Sequence, residues 1–178
     1  MVDPGHDTRD YPPQLLARLG HGAPEELFLL GRRGLLGERK TALFLPESLP
    51  APERRLALDT IRRLRDRDRA VIGGFETALE RESLAILLQG RQPVIICPAR
   101  AIESLRIPAD CRAPFDAGRL LYLSPFIQRP LRPTRETAFR RGLLVAALAD
   151  EALVAHAESG GQTALIRERL LEWKVPLL

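Results

Sequence analysis

With 178 residues, 45% of them hydrophobic and 28% charged, the chain has ordinary globular composition and enough length for one domain with a full core. No apolar run reaches the length of a membrane span, and the opening MVDPGHDTRD lacks the apolar segment of a signal peptide. The expectation is a soluble, cytoplasmic protein with no membrane contact, residues 1–10 forming a flexible tail and 11–178 a single domain. The net charge of +4 leans towards an anionic partner, and among the 27 basic residues only Lys40 and Lys174 are lysines.

Pro12-Pro13 followed by QLLARLG predicts a short helix with proline in its first turn and Gly20 as its stop. Leu27–Leu30 is a short apolar stretch, GRRGLLGERK a polar connection, and Thr41–Leu45 a first buried strand ended by Pro46. From Pro52 to about Asp68, Ala57, Ile61 and Leu64 recur at helical spacing with arginines on the other faces. The alternation then becomes regular. Ala70–Ile72 reads as a strand, Gly73-Gly74 as a turn, Thr77–Gln89 as a helix and Pro93–Cys97 as a strand, with a helical turn or two around Ala101–Leu105. Residues 107–118 look irregular. Leu120–Leu123 is a strand, Thr134–Ala149 a helix, Ala152–Ala155 a strand and Gln162–Trp173 the last helix, before a final edge strand at Val175-Pro176. Short apolar strands alternating with amphipathic helices predict an α/β fold: a Rossmann-like, doubly wound, mainly parallel sheet with helices on both faces.

Cys97 and Cys111 have no His or Cys clustered around them, and His6, His21 and His156 are scattered. Two buried thiols are expected, with no metal site, no cofactor and no cysteine–histidine nucleophile.

Ligands of open parallel sheets bind beyond the carboxyl ends of the strands, which directs attention to the loops at 46–51, 73–76, 98–100, 124–133 and 156–162. Gly73-Gly74 follows a strand and precedes a helix, where backbone amides can approach a phosphate; a tight packing turn reads the same residues equally well. Thr77 and Glu80 have the spacing of a capping box. The strongest electrostatic feature is SPFIQRPLRPTRETAFRR, where Arg129, Arg132, Arg135, Arg140 and Arg141 face only one acid, Glu136. Pro125, Pro130 and Pro133 hold that connection extended, the helix dipole adds positive potential, and guanidinium forks suit phosphate oxygens. Ser159, Gly160, Gly161 and Thr163 open the last helix as either a second anion cradle or a capped glycine turn. By contrast, the arginines of 54–69 are interleaved with Glu53, Asp59, Asp66 and Asp68, the pattern of a solvated face. Aromatic residues are sparse, so no base-stacking platform is evident.

The order of these motifs resembles the DprA/Smf DNA-processing family, within the Rossmann-like group that includes the LOG-type nucleotide hydrolases. The resemblance runs from about Pro12 to Pro176. It rests on Leu15–Gly31, on Gly73-Gly74-Phe75-Glu76-Thr77-Ala78-Leu79-Glu80 against Ser-Gly-x-Ala-x-Gly-x-Asp, on Arg141 (beside Arg140) against Arg-Asn-Arg, and on Ser159-Gly160-Gly161-Gln162-Thr163-Ala164 against Ser-Gly-x-x-Thr-Ala. The family's Gly-Ser-Arg turn is replaced by Leu45-Pro46-Glu47-Ser48. The resemblance implies a homodimer that binds single-stranded DNA and assists a RecA-type recombinase. With the residues above, it leads to the reading of a non-enzymatic protein that binds single-stranded DNA, or a nucleotide-derived ligand, across the carboxyl ends of the strands. A rival reading takes Ser159–Thr163 and Glu168 as a loose match to a LOG-type phosphoribohydrolase acting on nucleoside monophosphates, with Glu168 in acid–base chemistry. A third is an interaction module without a small ligand.

Overall fold

The computed structural model describes residues 3–4, 11–157 and 160–178. Among these, the strands are β1 (Asp3–Pro4), β2 (Phe28–Gly31), β3 (Lys40–Phe44), β4 (Ala70–Gly73), β5 (Val94–Ile96), β6 (Leu120–Ser124) and β7 (Glu151–Val154). The helices are α1 (Pro13–Leu19), α2 (Ala51–Arg65), α3 (Ala78–Leu88), α4 (Ala109–Asp116), α5 (Arg135–Leu148) and α6 (Gln162–Glu172). One sheet takes the order β1-β2-β6-β5-β4-β3-β7. The run β6-β5-β4-β3-β7 is parallel, whereas β2 joins β6 antiparallel and β1 joins β2 antiparallel. This is the doubly wound, mainly parallel α/β sheet that the alternation of strands and helices implies.

The parallel strands are buried on both faces, as their unbroken apolar runs require. Leu58, Ile61 and Leu64 of α2 and Leu79 and Leu87 of α3 cover one face with Val71, Val94 and Leu120. Leu144–Leu148 of α5 and Ile166 and Leu170 of α6 cover the other with Ala42, Ile72, Ile95 and Leu121. At Gly142 α5 presents no side chain, and a Cβ there would sit 2.6 Å from Ile166 Cδ1, so glycine lets α6 close on α5. Arg18 in the last turn of α1 donates to Ala147 O and Ala149 O at 2.9 and 2.7 Å, satisfying carbonyls that the end of α5 leaves open.

Four segments differ from the sequence reading. Residues 107–118, expected to be irregular, contain α4, whose periodicity is masked by Pro114 inside the helix. The polar connection after β2 holds a 3-10 helix, Arg33–Gly37, that buries Leu35 and Leu36. Ala101–Leu105 forms no helix, only a turn closed by Leu105 N–H to Ile102 O at 3.0 Å. The chain end lies beside β7 through a bridge between Ala152 and Leu177, one residue beyond the expected edge strand. No helix among the described residues is long and apolar enough to cross a membrane.

Candidate nucleic-acid interface

β3 and β7 are neighbours, yet α2, which follows β3, packs on one face and α6, which follows β7, on the other. Their diverging connections open the sheet's carboxyl edge, the place where an open parallel sheet receives ligands. β4, β5 and β6 end along the same edge.

Gly73 closes β4, and both it and Gly74 are buried. Phe75 follows with φ 55°, a left-handed backbone for a bulky residue, and packs its ring back over Gly73. Thr77 then caps α3 in the box its spacing predicts: Thr77 Oγ1 accepts from Glu80 N–H at 3.1 Å, and Glu80 Oε2 accepts from Thr77 N–H at 3.4 Å and Glu76 N–H at 2.9 Å.

Arg141 reaches this loop from α5. Its guanidinium lies directly on Gly74, occupying the place where any side chain at that position would stand. It is only 11% exposed, and its Nη2 donates to Glu76 Oε2 at 3.1 Å. The other carboxylate oxygen, Glu76 Oε1, accepts from Ala99 N–H just beyond β5 at 2.9 Å. Arg141 Nε is buried and has no acceptor among the described residues. Burial raises the Glu80 carboxyl above its ordinary range, against the lowering pull of Arg141 and of the Glu76, Thr77 and Leu45 amides. Burial likewise pushes the Cys97 thiol up to about 12, so this residue is a neutral wall and no nucleophile. The floor of the edge therefore sets two carboxyl groups against one guanidinium.

The predicted residues do not all converge on one place. Gly73, Gly74 and Arg141 meet in the floor, with Glu76, Glu80 and the Ala99 amide. Arg129, Arg132 and Arg135 stand exposed above it along the connection and the start of α5, with no carboxylate partner among the described residues. That connection is pinned to the loop after β5. Ser124 Oγ donates to Arg100 O, Ala101 N–H to Pro130 O and Gln128 N–H to Glu103 Oε1, each at 2.8 Å. Thr134 caps α5, its hydroxyl accepting from Thr137 N–H at 3.2 Å. Gln162 Nε2 donates to Arg135 O at 3.1 Å and so ties the first turns of α5 and α6 together. Gly160, with φ 75° and open space where a Cβ would stand among the described residues, Gly161 as the α6 cap, and Thr163 in the first turn flank Gln162 in sequence. Ser159 lies outside the described residues. Arg140 points away from the floor: it stacks over the Phe126 ring at 5.5 Å and borders a groove of about 660 Å³ with Arg18 and Trp173.

Sequence reasoning passed over Glu76, the Ala99 amide and Arg100. The only signal for Glu76 was an acid two residues after Gly74 in a loop read as an anion cradle. Arg100, half-buried and without a carboxylate partner among the described residues, extends the basic rim from the loop after β5. Glu168 lines a separate hollow of about 230 Å³ with Arg167, Ala157 and Ala164, apart from the Gly74 floor. No cluster of metal-ligating side chains occurs among the described residues.

No protein-family model matches this chain, and no curated protein sequence does either. Solved structures do. DNA processing protein A (DprA) from Streptococcus pneumoniae superposes with a TM-score of 0.77 at 19% identity, over 99% of this chain and 61% of that one. DNA processing protein A from Helicobacter pylori, whose structure is described as revealing a unique single-stranded DNA binding mode, superposes with a TM-score of 0.69 at 16% identity, over 87% of this chain and 71% of that one. This chain thus spans less than two thirds of the length of the Streptococcus protein. The architecture that the order of its motifs resembles is the one it adopts: the chain has the DprA fold.

Proposed function

We propose that this protein binds single-stranded DNA along the carboxyl edge of its sheet, without catalysing a reaction on it. The observation that carries the reading is the row Arg129, Arg132 and Arg135, exposed, free of carboxylate partners among the described residues, and held on a connection tethered at both ends. Guanidinium groups on such a segment match successive phosphates, and the N-terminus of α5 adds to their potential. Leu131 is exposed between Arg129 and Arg132, and Ile127 just before Arg129, 63% and 49%, and they offer apolar surface to bases that a duplex would keep stacked inside. The description of the Helicobacter protein, which shares the fold, supports the same ligand class.

Homodimerisation and assistance to a RecA-type recombinase are the finer parts of the proposal. Leu165, Leu171 and Leu178 are exposed apolar side chains in the last helix and at the chain end. A labelled single-stranded oligonucleotide titrated at low salt should bind and outcompete a duplex of equal length. Absence of binding at low salt would remove the proposal.

A further inference from the structure

We propose that Glu76 is a specificity-determining residue: its carboxylate fills an anion socket built from Arg141, the Ala99 amide and the bare backbone of Gly74, and so bars a phosphate monoester from the centre of the edge. The socket has the parts of an anion site. A guanidinium is held nearly buried, a backbone amide beyond β5 points into the same space, and glycine is the one residue that leaves room for the guanidinium.

The resident anion fits it incompletely. Glu76 brings two oxygens, one taken by Arg141 Nη2 and one by Ala99 N–H, while Arg141 Nε is left buried without an acceptor among the described residues. A phosphate monoester brings three terminal oxygens and would satisfy all three donors. Intramolecular attachment nonetheless favours Glu76, which reaches the socket at a high effective concentration from only two residues beyond Gly74. Glu80 beneath it, bound to the Glu76 amide at 2.9 Å, adds a second carboxyl group that disfavours an incoming anion. The consequence for nucleic acid, which rests on the proposed DNA reading, is that the strand lies on the rim arginines and its terminal phosphate gains nothing from the floor.

The socket can be tested without DNA. Inorganic phosphate is titrated into the whole protein while the Ala99 and Gly74 amide resonances are followed, with chloride at matched ionic strength as control. The wild-type protein should show no saturable shift at these amides. Glu76→Ala should show one, with affinity at least about tenfold higher, and Glu76→Ala combined with Arg141→Met should abolish it. If Glu76→Ala alone does not fold, phosphate and not chloride should restore its native spectrum, because the anion replaces the missing carboxylate. Saturable phosphate binding by the wild type, a folded Glu76→Ala without gain, or an unfolded one without rescue would each overturn the assignment. None of these outcomes bears on whether the rim binds an oligonucleotide.

Discussion

Arg141 and Gly74 are in such close contact that the guanidinium fills the volume a side chain at residue 74 would need. The contact joins α5 to the end of β4 and fixes where the one buried arginine of the basic segment spends its charge.

Substituting the two glycines of this loop should therefore have unequal effects. Gly74→Ala must expel the Arg141 guanidinium and break its pair with Glu76, at a cost of about 1–3 kcal/mol. At Gly73 the nearest atoms an added methyl would meet are the Phe75 ring at 3.3 Å and the Leu43 Cβ at 3.6 Å, so Gly73→Ala should change stability by less than about 1 kcal/mol. Urea unfolding of both variants checks the ordering, and equal destabilisation would contradict the described packing.

The pH dependence of stability should carry the mark of Glu80. Its carboxyl is raised in the folded chain, chiefly by burial, so the folded state holds the proton to a higher pH than the unfolded one. Stability from this group is complete below the ordinary glutamate value of about 4.3 and declines as the pH rises through the folded value. Glu80→Gln should flatten that decline between mildly acid and neutral pH. Parallel unfolding profiles for wild type and variant would show that Glu80 titrates normally.

Both thiols should be silent in the native protein. Cys97 is fully buried with its thiol pushed up to about 12, and Cys111 is buried with its thiol also raised by desolvation. A thiol-reactive chromophore should label neither at neutral pH and should label both after denaturation. Fast labelling of the native chain at either position would contradict this packing.

Much of the fold was legible because its determinants are local. The buried runs of β3 to β7, the α3 capping box and the Ala57, Ile61 and Leu64 stripe of α2 each announce themselves within a dozen residues. α4 did not, since Pro114 interrupts its pattern, and the antiparallel pairing of β2 with β6 joins segments that sequence order keeps far apart. The site was legible by composition and obscure in direction. Arg140 and Arg141 are neighbours in sequence, but adjacent helical positions diverge by about 100°. One side chain stacks on Phe126 while the other descends to Gly74. The partner of Arg141, Glu76, lies 65 residues away in sequence, and nothing local to either residue reveals the pair.

The central claim is that the exposed row Arg129, Arg132 and Arg135 holds single-stranded phosphates. Its most direct test is the salt dependence of oligonucleotide binding by wild type and by the variant with all three arginines replaced by glutamine. Removing one arginine–phosphate pair should lower the slope of log K against log salt by about 0.7, so the triple variant should be shallower by about 2. Weakened binding with that shallower slope is the predicted result; unchanged affinity and unchanged slope would place the DNA somewhere other than this edge.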